Sequence, residues 1–314
     1  MSNWAATPTV PPAWSEVCDQ SDSLFHSESW LALLERSFGC RSLYLLDEEQ
    51  RHGAAISQFR AGPFRIGYLG FPIGGTVGDV DPGVDIPEIL RQVPVELMPV
   101  AIRIPASGFG MPVDLGLQFE ATNETAIVDL QAWSLERASK NRKRDVKRSL
   151  HSDLEMVDAN DPADADRIYE LYRKTLERHD GSLRYNAAYF SGLIRLATEH
   201  PKLRVLLAKT DGSICAFTVV AQHSSVGYYL HGAIDWSQRA LRPSAMLMNN
   251  AIEWAKAGGC ASFNFLSSPP GQESLVRYKE AWGGETRTHR TYTLPVRSSF
   301  LLFKAAERLY RLVR

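Results

Sequence analysis

The spacing of apolar and polar residues changes period repeatedly along the chain, and each change marks an element. From Phe25 to Phe38 the residues Trp30, Leu31, Leu34 and Phe38 recur at helical spacing, with Ser27 or Ser29 placed to cap the first turn. SLYLL (Ser42–Leu46) and AAISQF (Ala54–Phe59) read as strands around the acidic turn Asp47–Gln50, and FRIGYLG (Phe64–Gly70) as a third. The loop FPIGGTVGDVDPG follows, too rich in Gly and Pro for regular structure. IPEILRQV reads as a short helix; LMPVAIRIP and TAIVDL read as strands.

The second half restarts the pattern. WSLERASKNRKRDVKRSLHSD is a strongly basic helix, and LEMVD is a strand. PADADRIYELYRKTLERH and NAAYFSGLIRLATEH are helices, the first with Ile168, Leu171, Tyr172, Thr175 and Leu176 on one face. Three alternating strands span LRVLLAKTDGSICAFTVVAQHSSVGYYLHGAID, with Asp211–Gly212 as a hairpin turn. Helix RPSAMLMNNAIEWAKAGG, strand ASFNFL, helix GQESLVRYKEAWGG, strand ETRTHRTYTLP and helix SSFLLFKAAERLYRLVR complete the chain. Helices before an antiparallel meander predict α/β architecture: mixed, mostly antiparallel sheets flanked by helices. The first half looks like a shorter version of the same order, although no residue-level repeat is visible.

Length and charge sharpen this. At ~150 residues per domain, 314 residues predict two domains. We expect a loose N-terminal arm over 1–22, a first domain over 23–133 and a second over 134–314. Residues 1–136 carry 7 Lys+Arg against 18 Asp+Glu (−11), and the remainder 28 against 18 (+10), which sums to the net −1. The basic half suits a polyanion or a phosphorylated carrier; alternatively, the two signs hold the halves together. No apolar run reaches the ~18 residues of a membrane helix. MSNWAATPTVPPAW has neither a basic nor an apolar leader region, so a cytoplasmic location is expected. Cys18, Cys40, Cys215 and Cys260 form no metal-ligand spacing, so no metal and no tightly bound cofactor are expected.

Four stretches carry a family resemblance: SKNRKRDVKRSLHSDLEMV, YELYRKTLERHDGSLRYNAAYFSGL, HGAIDWSQRALRPSAMLMNNAIEWAKAGGCASFNF and SLVRYKEAWGGETRTH. The chain resembles the GNAT superfamily, and within it the two-domain FemABX-like branch of aminoacyl and acyl transferases. The likeness is good over roughly 135–293 and weak over 25–130. It implies tandem GNAT-like domains, acceptor side first and donor side second. It also implies N-acyl transfer: an amine attacks the carbonyl of an acyl-CoA or an aminoacyl-tRNA, and a tetrahedral oxyanion forms and collapses. The acceptor implied is a small molecule, a peptide or a cell-envelope or exopolysaccharide precursor. Alternatives are a CoA-dependent N-acetyltransferase of a small molecule or sugar amine, and a catalytically inactive GNAT-like binding module.

The resemblance assigns Lys279, beside Tyr278, to stabilising the intermediate; the residues alone also fit a surface lysine paired with Glu273 or Glu280. His231, on YYLHGAID, is a candidate base or a buried structural histidine, and His179, in RHDGSLRY, is a second candidate or a turn residue. Tyr229 and Asn264 are placed to orient substrate. The phosphate turn of the family falls on Gln238–Ser244, where Arg242 and Pro243 replace the expected small residues. Arg239, Arg242 and Ser244 still make an anion site, or an ordinary helix start. Lys140, Arg144, Lys147 and Arg148 share a helix face that suits a tRNA, or is simply solvated. Arg65, Tyr68 and Gly74, around the loop Gly67–Gly78, are expected to border the acceptor. The terminal helix, with Phe300, Leu301 and Phe303 among Lys304 and Arg308, fits a membrane surface or packs on the body.

Overall fold

The protein is described here by a computed structural model covering residues 3–78, 86–110, 114–178 and 183–313. It divides into two compact units: unit 1 is 1–121 with 288–314, and unit 2 is 122–287. The division falls inside two strands rather than at 133/134, and the terminal helix groups with unit 1.

Unit 1 contains β1 (Trp4–Thr7), α1 (Trp14–Gln20), α2 (Glu28–Phe38), β2 (Arg41–Asp47), β3 (Gly53–Ala61), β4 (Phe64–Leu69), α3 (Ile86–Gln92) and β5 (Ala101–Ala106). The chain leaves through β6 (Phe119–Ile127) and returns through β12 (Glu285–Pro295) into α9 (Phe300–Val313). The strand order is β1-β2-β3-β4-β5-β12, with β4 and β5 parallel and the other assigned pairs antiparallel. Leu43, Leu45, Ile56, Leu69 and Ile102 form the core under α3. Ser27 caps α2 by accepting from the Trp30 amide, and Gly39 ends the helix in the left-handed conformation. Phe303 of α9 is buried against Ile66, Val100 and Ala101.

The expected loose arm over 1–22 is built into this unit. β1 pairs antiparallel with β2. Trp14, Val17 and Cys18 of α1, at i, i+3 and i+4, are buried, and the Trp14 indole donates to His26 O at 2.8 Å. The prolines before Trp14 disguise a one-sided helix of only seven residues.

Unit 2 contains α4 (Lys140–Leu150), β7 (Glu155–Asp158), α5 (Asp164–Arg178), α6 (Ala187–Glu199), β8 (Leu203–Thr210), β9 (Ser213–His223), β10 (Val226–Ile234), α7 (Pro243–Ala257), β11 (Ser262–Ser268) and α8 (Glu273–Glu280). Its order is β6-β11-β10-β9-β8-β7, with β10 and β11 parallel and the remaining pairs antiparallel. β9 is buried almost throughout because α5 and α7 both cover it, which explains the unbroken run ICAFTVVA. Five strands of each unit thus follow one plan, with the parallel pair at the same step. The sixth strand is supplied by the chain segment that enters or leaves the other unit. Helices flank mixed, mostly antiparallel strands, as the sequence predicts.

Trp14→Ala is expected to destabilise the folded state by ~3–5 kcal/mol, the cost of emptying a large buried aromatic site, read by urea denaturation. A segment free of the fold would leave the midpoint unmoved.

Candidate active site

The parallel strands β10 and β11 are paired only over Val226–Tyr228 and Ser262–Asn264, although both run on for several residues. Each is irregular where they part. β10 shifts register against β9 between Tyr229 and His231, and β11 against β6 between Asn264 and Ser267. Leu266 takes a left-handed φ of 60° inside that irregularity. Parting frees main-chain groups that must find other partners in the interior.

Lys279 supplies one. Its side chain is 3% exposed, and Nζ donates to Leu266 O at 2.8 Å and to Ser268 Oγ at 2.9 Å. Asn264 supplies the next: its Oδ1 accepts the Leu266 amide at 2.7 Å, and its Nδ2 donates to the buried Glu124 carboxylate at 2.9 Å. Burial pushes the Lys279 amine down to about 7, and Glu124 pulls it partly back. An ammonium has three N–H bonds. Two are used here, and the third has no partner among the described residues. Neither Glu273 nor Glu280 pairs with it.

A second network lies at the start of α7. Arg242 precedes Pro243 with φ 62°, and its guanidinium pairs with Asp145 at 3.3 Å. Asp145 also holds Arg142 at 2.9 Å, and that guanidinium lies 5.1 Å from the centre of the Tyr278 ring. Burial pushes the Tyr278 phenol up, while Arg142 and a hydrogen bond with Ser244 pull it down. Pro243 brings no N–H, and the Ala245 amide is taken by Arg242 O. This helix start therefore offers few amides to an anion. On α4, Lys140, Arg144, Lys147 and Arg148 are exposed and unpaired among the described residues. Trp236, 52% exposed, has the guanidinia of Arg178 and Arg239 at 4.4 and 5.0 Å from its ring centre.

Residues 136–280 match the sequence model of a family described as an acetyltransferase (GNAT) domain. Residues 136–280 are thus read as a GNAT domain. A search of curated proteins gave no match. Among solved structures, FemX is similar over 98% of this chain and 99% of its own, at 13% identity and a TM-score of 0.68. The C-terminal domain of a putative lysylphosphatidylglycerol synthetase from Agrobacterium fabrum is similar over 94% and 95%, at 15% identity and 0.57. A tandem GNAT protein from the clavulanic acid biosynthesis pathway is similar over 94% and 99%, at 10% identity and 0.57. At these identities the likeness concerns the fold, which is that of tandem GNAT-like proteins.

Within the GNAT domain, His231 sits just past the point where β10 leaves β11. It is ringed by Tyr185, Tyr189 and Phe190, whose centroids lie 4.5, 5.5 and 5.7 Å away. Tyr189 Oη lies 3.1 Å from His231 Nε2. Burial pushes the imidazole down to about 3, so at neutral pH the ring is uncharged and a weak proton acceptor. Tyr229 packs on the core, and its phenol, pushed up by burial, folds over Gly232: a Cβ there would stand 2.4 Å from Oη. His179 lies outside the described residues.

The structure gathers Lys279, Asn264 and Tyr278 with Arg242 and Ser244 in unit 2. Arg65, Tyr68 and Gly74 belong to unit 1. There Tyr68 packs on Phe59 and Phe71. Gly74 has φ 75°, and a Cβ would stand 2.7 Å from Pro105 O, so packing alone demands glycine. The loop is fastened by Trp30 Nε1 donating to Phe71 O and by His26 Nε2 near Gly75 O at 3.2 Å. Sequence reading missed Glu124, Ser268, Asp145, Trp236 and the tyrosines around His231. Tyr185 and Tyr189, four apart across a helix start, were the one visible signal.

Lys279 also sets a pH dependence. Below about pH 7 the folded and unfolded chains both carry its proton, and the cost of burial is present in full. Between about 7 and the ordinary lysine value near 10.5 only the unfolded chain keeps it, so this residue makes stability rise with pH across that window. The Lys279→Met variant is expected to lack that rise. Urea unfolding of both proteins at about pH 6.5 and 9.5 measures the difference.

Proposed function

We propose that the chain is an N-acyltransferase that moves an acyl or aminoacyl group from a phosphate-bearing carrier to an amine, with the reaction in unit 2 where β10 and β11 part. The observation that carries this reading is Lys279: a buried amine held near neutrality, with one N–H left over, inside a GNAT domain. The amine nitrogen attacks the carbonyl carbon, the carbonyl electrons move to oxygen, and the bond to the carrier oxygen or sulfur breaks as they return. The proton lost by the amine leaves on the departing group or to solvent. The protonated Lys279 offers its free N–H to the oxyanion, where a dry site makes the charge effective.

The donor favoured is an aminoacyl-tRNA. Pro243 and the engaged Ala245 amide weaken the start of α7 as a pyrophosphate cradle. The unpaired cations of α4 suit a nucleic-acid backbone, and the exposed Trp236, with two guanidinia near its ring, suits a terminal base. The likeness to a lysylphosphatidylglycerol synthetase domain supports an aminoacyl cargo. A second reading, CoA-dependent acetylation of a small molecule or sugar amine, is favoured by the description of the matching family. Under either, the acceptor is an amine, including one on a cell-envelope or exopolysaccharide precursor.

Titration with charged tRNA and with acetyl-CoA is expected to show saturable binding of the tRNA, weakened by Arg144→Ala. Preferential binding of acetyl-CoA reverses the donor assignment. In the transfer assay Lys279→Ala is expected to lower kcat by ~100-fold or more, the scale of losing one oxyanion donor. An unchanged kcat removes Lys279 from the chemistry and leaves a binding module.

A further inference from the structure

Unit 1 contains a cavity of about 430 Å³ whose wall includes Arg41, Gln58, Phe64, Arg65, Glu96 and Arg297. Strand register explains why cations meet there. Arg41 stands opposite Gln58 across β2 and β3, and Arg60 opposite Arg65 across β3 and β4. Alternation places Arg41, Gln58, Arg60 and Arg65 on one face, just beyond the apolar layer of Leu43 and Ile56. Like charges placed opposite each other across a sheet oppose pairing. None of Arg41, Arg60 and Arg65 has a carboxylate partner among the described residues, and the Arg65 guanidinium reaches only Gln58 O, at 3.4 Å. Burial and the charges of Arg41 and Arg60 pull Arg65 below its ordinary value.

Arg297 is held from the other side by Met98 O (3.0 Å), Val95 O (2.7 Å) and Glu96 O (3.0 Å). Its position is therefore built rather than adopted. Glu96 is the one carboxylate among the lining residues, and it is exposed. The fold thus gathers guanidinia without the carboxylates that would neutralise them, around a space large enough for a ligand. Planar guanidinia match phosphate oxygens in pairs.

We infer that this pocket binds a phosphoryl or pyrophosphoryl group, with Arg41, Arg65 and Arg297 as its donors. The ligand is a phosphate ester, and the site does not depend on what unit 2 transfers. Two sources share that chemistry. One is a soluble phosphorylated metabolite. The other is a lipid head group, because the pocket residue Ser299 leads into α9, whose Leu301 and Leu302 are 77% and 68% exposed.

The test is calorimetric titration of the full chain with inorganic pyrophosphate, beside flotation with vesicles containing phosphatidylglycerol. Saturable pyrophosphate binding is expected, weakened about tenfold or more by Arg65→Ala and by Arg41→Ala, since a charge-assisted hydrogen bond contributes about 1.5–3 kcal/mol. Arg195→Ala, at an exposed cation of the other unit, controls for diffuse attraction and is expected to leave this binding intact. Circular dichroism checks the fold of each variant, and Arg65→Gln gives a second, polar replacement. Flotation lost with both Arg65→Ala and Leu301→Ser assigns the ligand to lipid; pyrophosphate binding without flotation assigns it to a soluble ester. Absence of both, or binding unmoved by Arg65→Ala and Arg41→Ala, overturns the proposal. The readout is binding and not turnover, so its failure leaves the transferase reading standing, and the failure of transfer leaves this one standing.

Discussion

Two parallel strands that hold together for three residue pairs and then separate leave main-chain groups without partners, and the chemistry of unit 2 grows from how those groups are satisfied. A buried polar group left alone costs ~1–3 kcal/mol. Leu266 O takes a proton donor from α8, and the Leu266 amide takes an acceptor from β11 itself. Asn264 must then have a partner for its own amide, and Glu124 on β6 provides it. The solution places an amine in a dry interior, where its charge is costly, and so brings it near neutrality. One residue closes the backbone account and becomes chemically responsive in doing so.

Much of the fold was legible because hydrophobic period alone separates its elements. The run ICAFTVVA and the stripe of Ile168, Leu171 and Tyr172 are read without tertiary knowledge, and both lie where the pattern puts them. α1 was hidden, since a seven-residue helix gives only one repeat of its apolar face. The position of Lys279 was readable only through the YK beside Tyr278. Its environment was not, because Glu124 comes from a strand 155 positions earlier in the chain (279 − 124) and nothing local marks it. The same holds for Asp145, which looks like one acid in a basic helix and is in fact the anchor of Arg142 and Arg242. His231 shows the converse. A histidine reads as a titrating group, but an aromatic ring around it makes its cation unfavourable.

The charge division between the halves of the sequence has two different structural meanings. In unit 2 the surplus cations line an exposed helix face and the start of α7. Unit 1 carries 13 Lys+Arg against 16 Asp+Glu, and three of those cations, Arg41, Arg60 and Arg65, are brought to one face by strand register. Net charge hides this, because a patch is set by pairing geometry.

The exchange of sixth strands has a consequence for how the molecule is divided. β6 follows the first stretch of unit 1 and opens unit 2, whose sheet it finishes; β12 follows unit 2 and finishes the sheet of unit 1. No single scission between the two frees either one whole. A fragment ending before β6 lacks its closing strand, and one beginning after it leaves the edge of β11 bare, a ready template for aggregation. Unit 1 is therefore complete only after the whole of unit 2 has been made, whereas unit 2 is one uninterrupted stretch of chain.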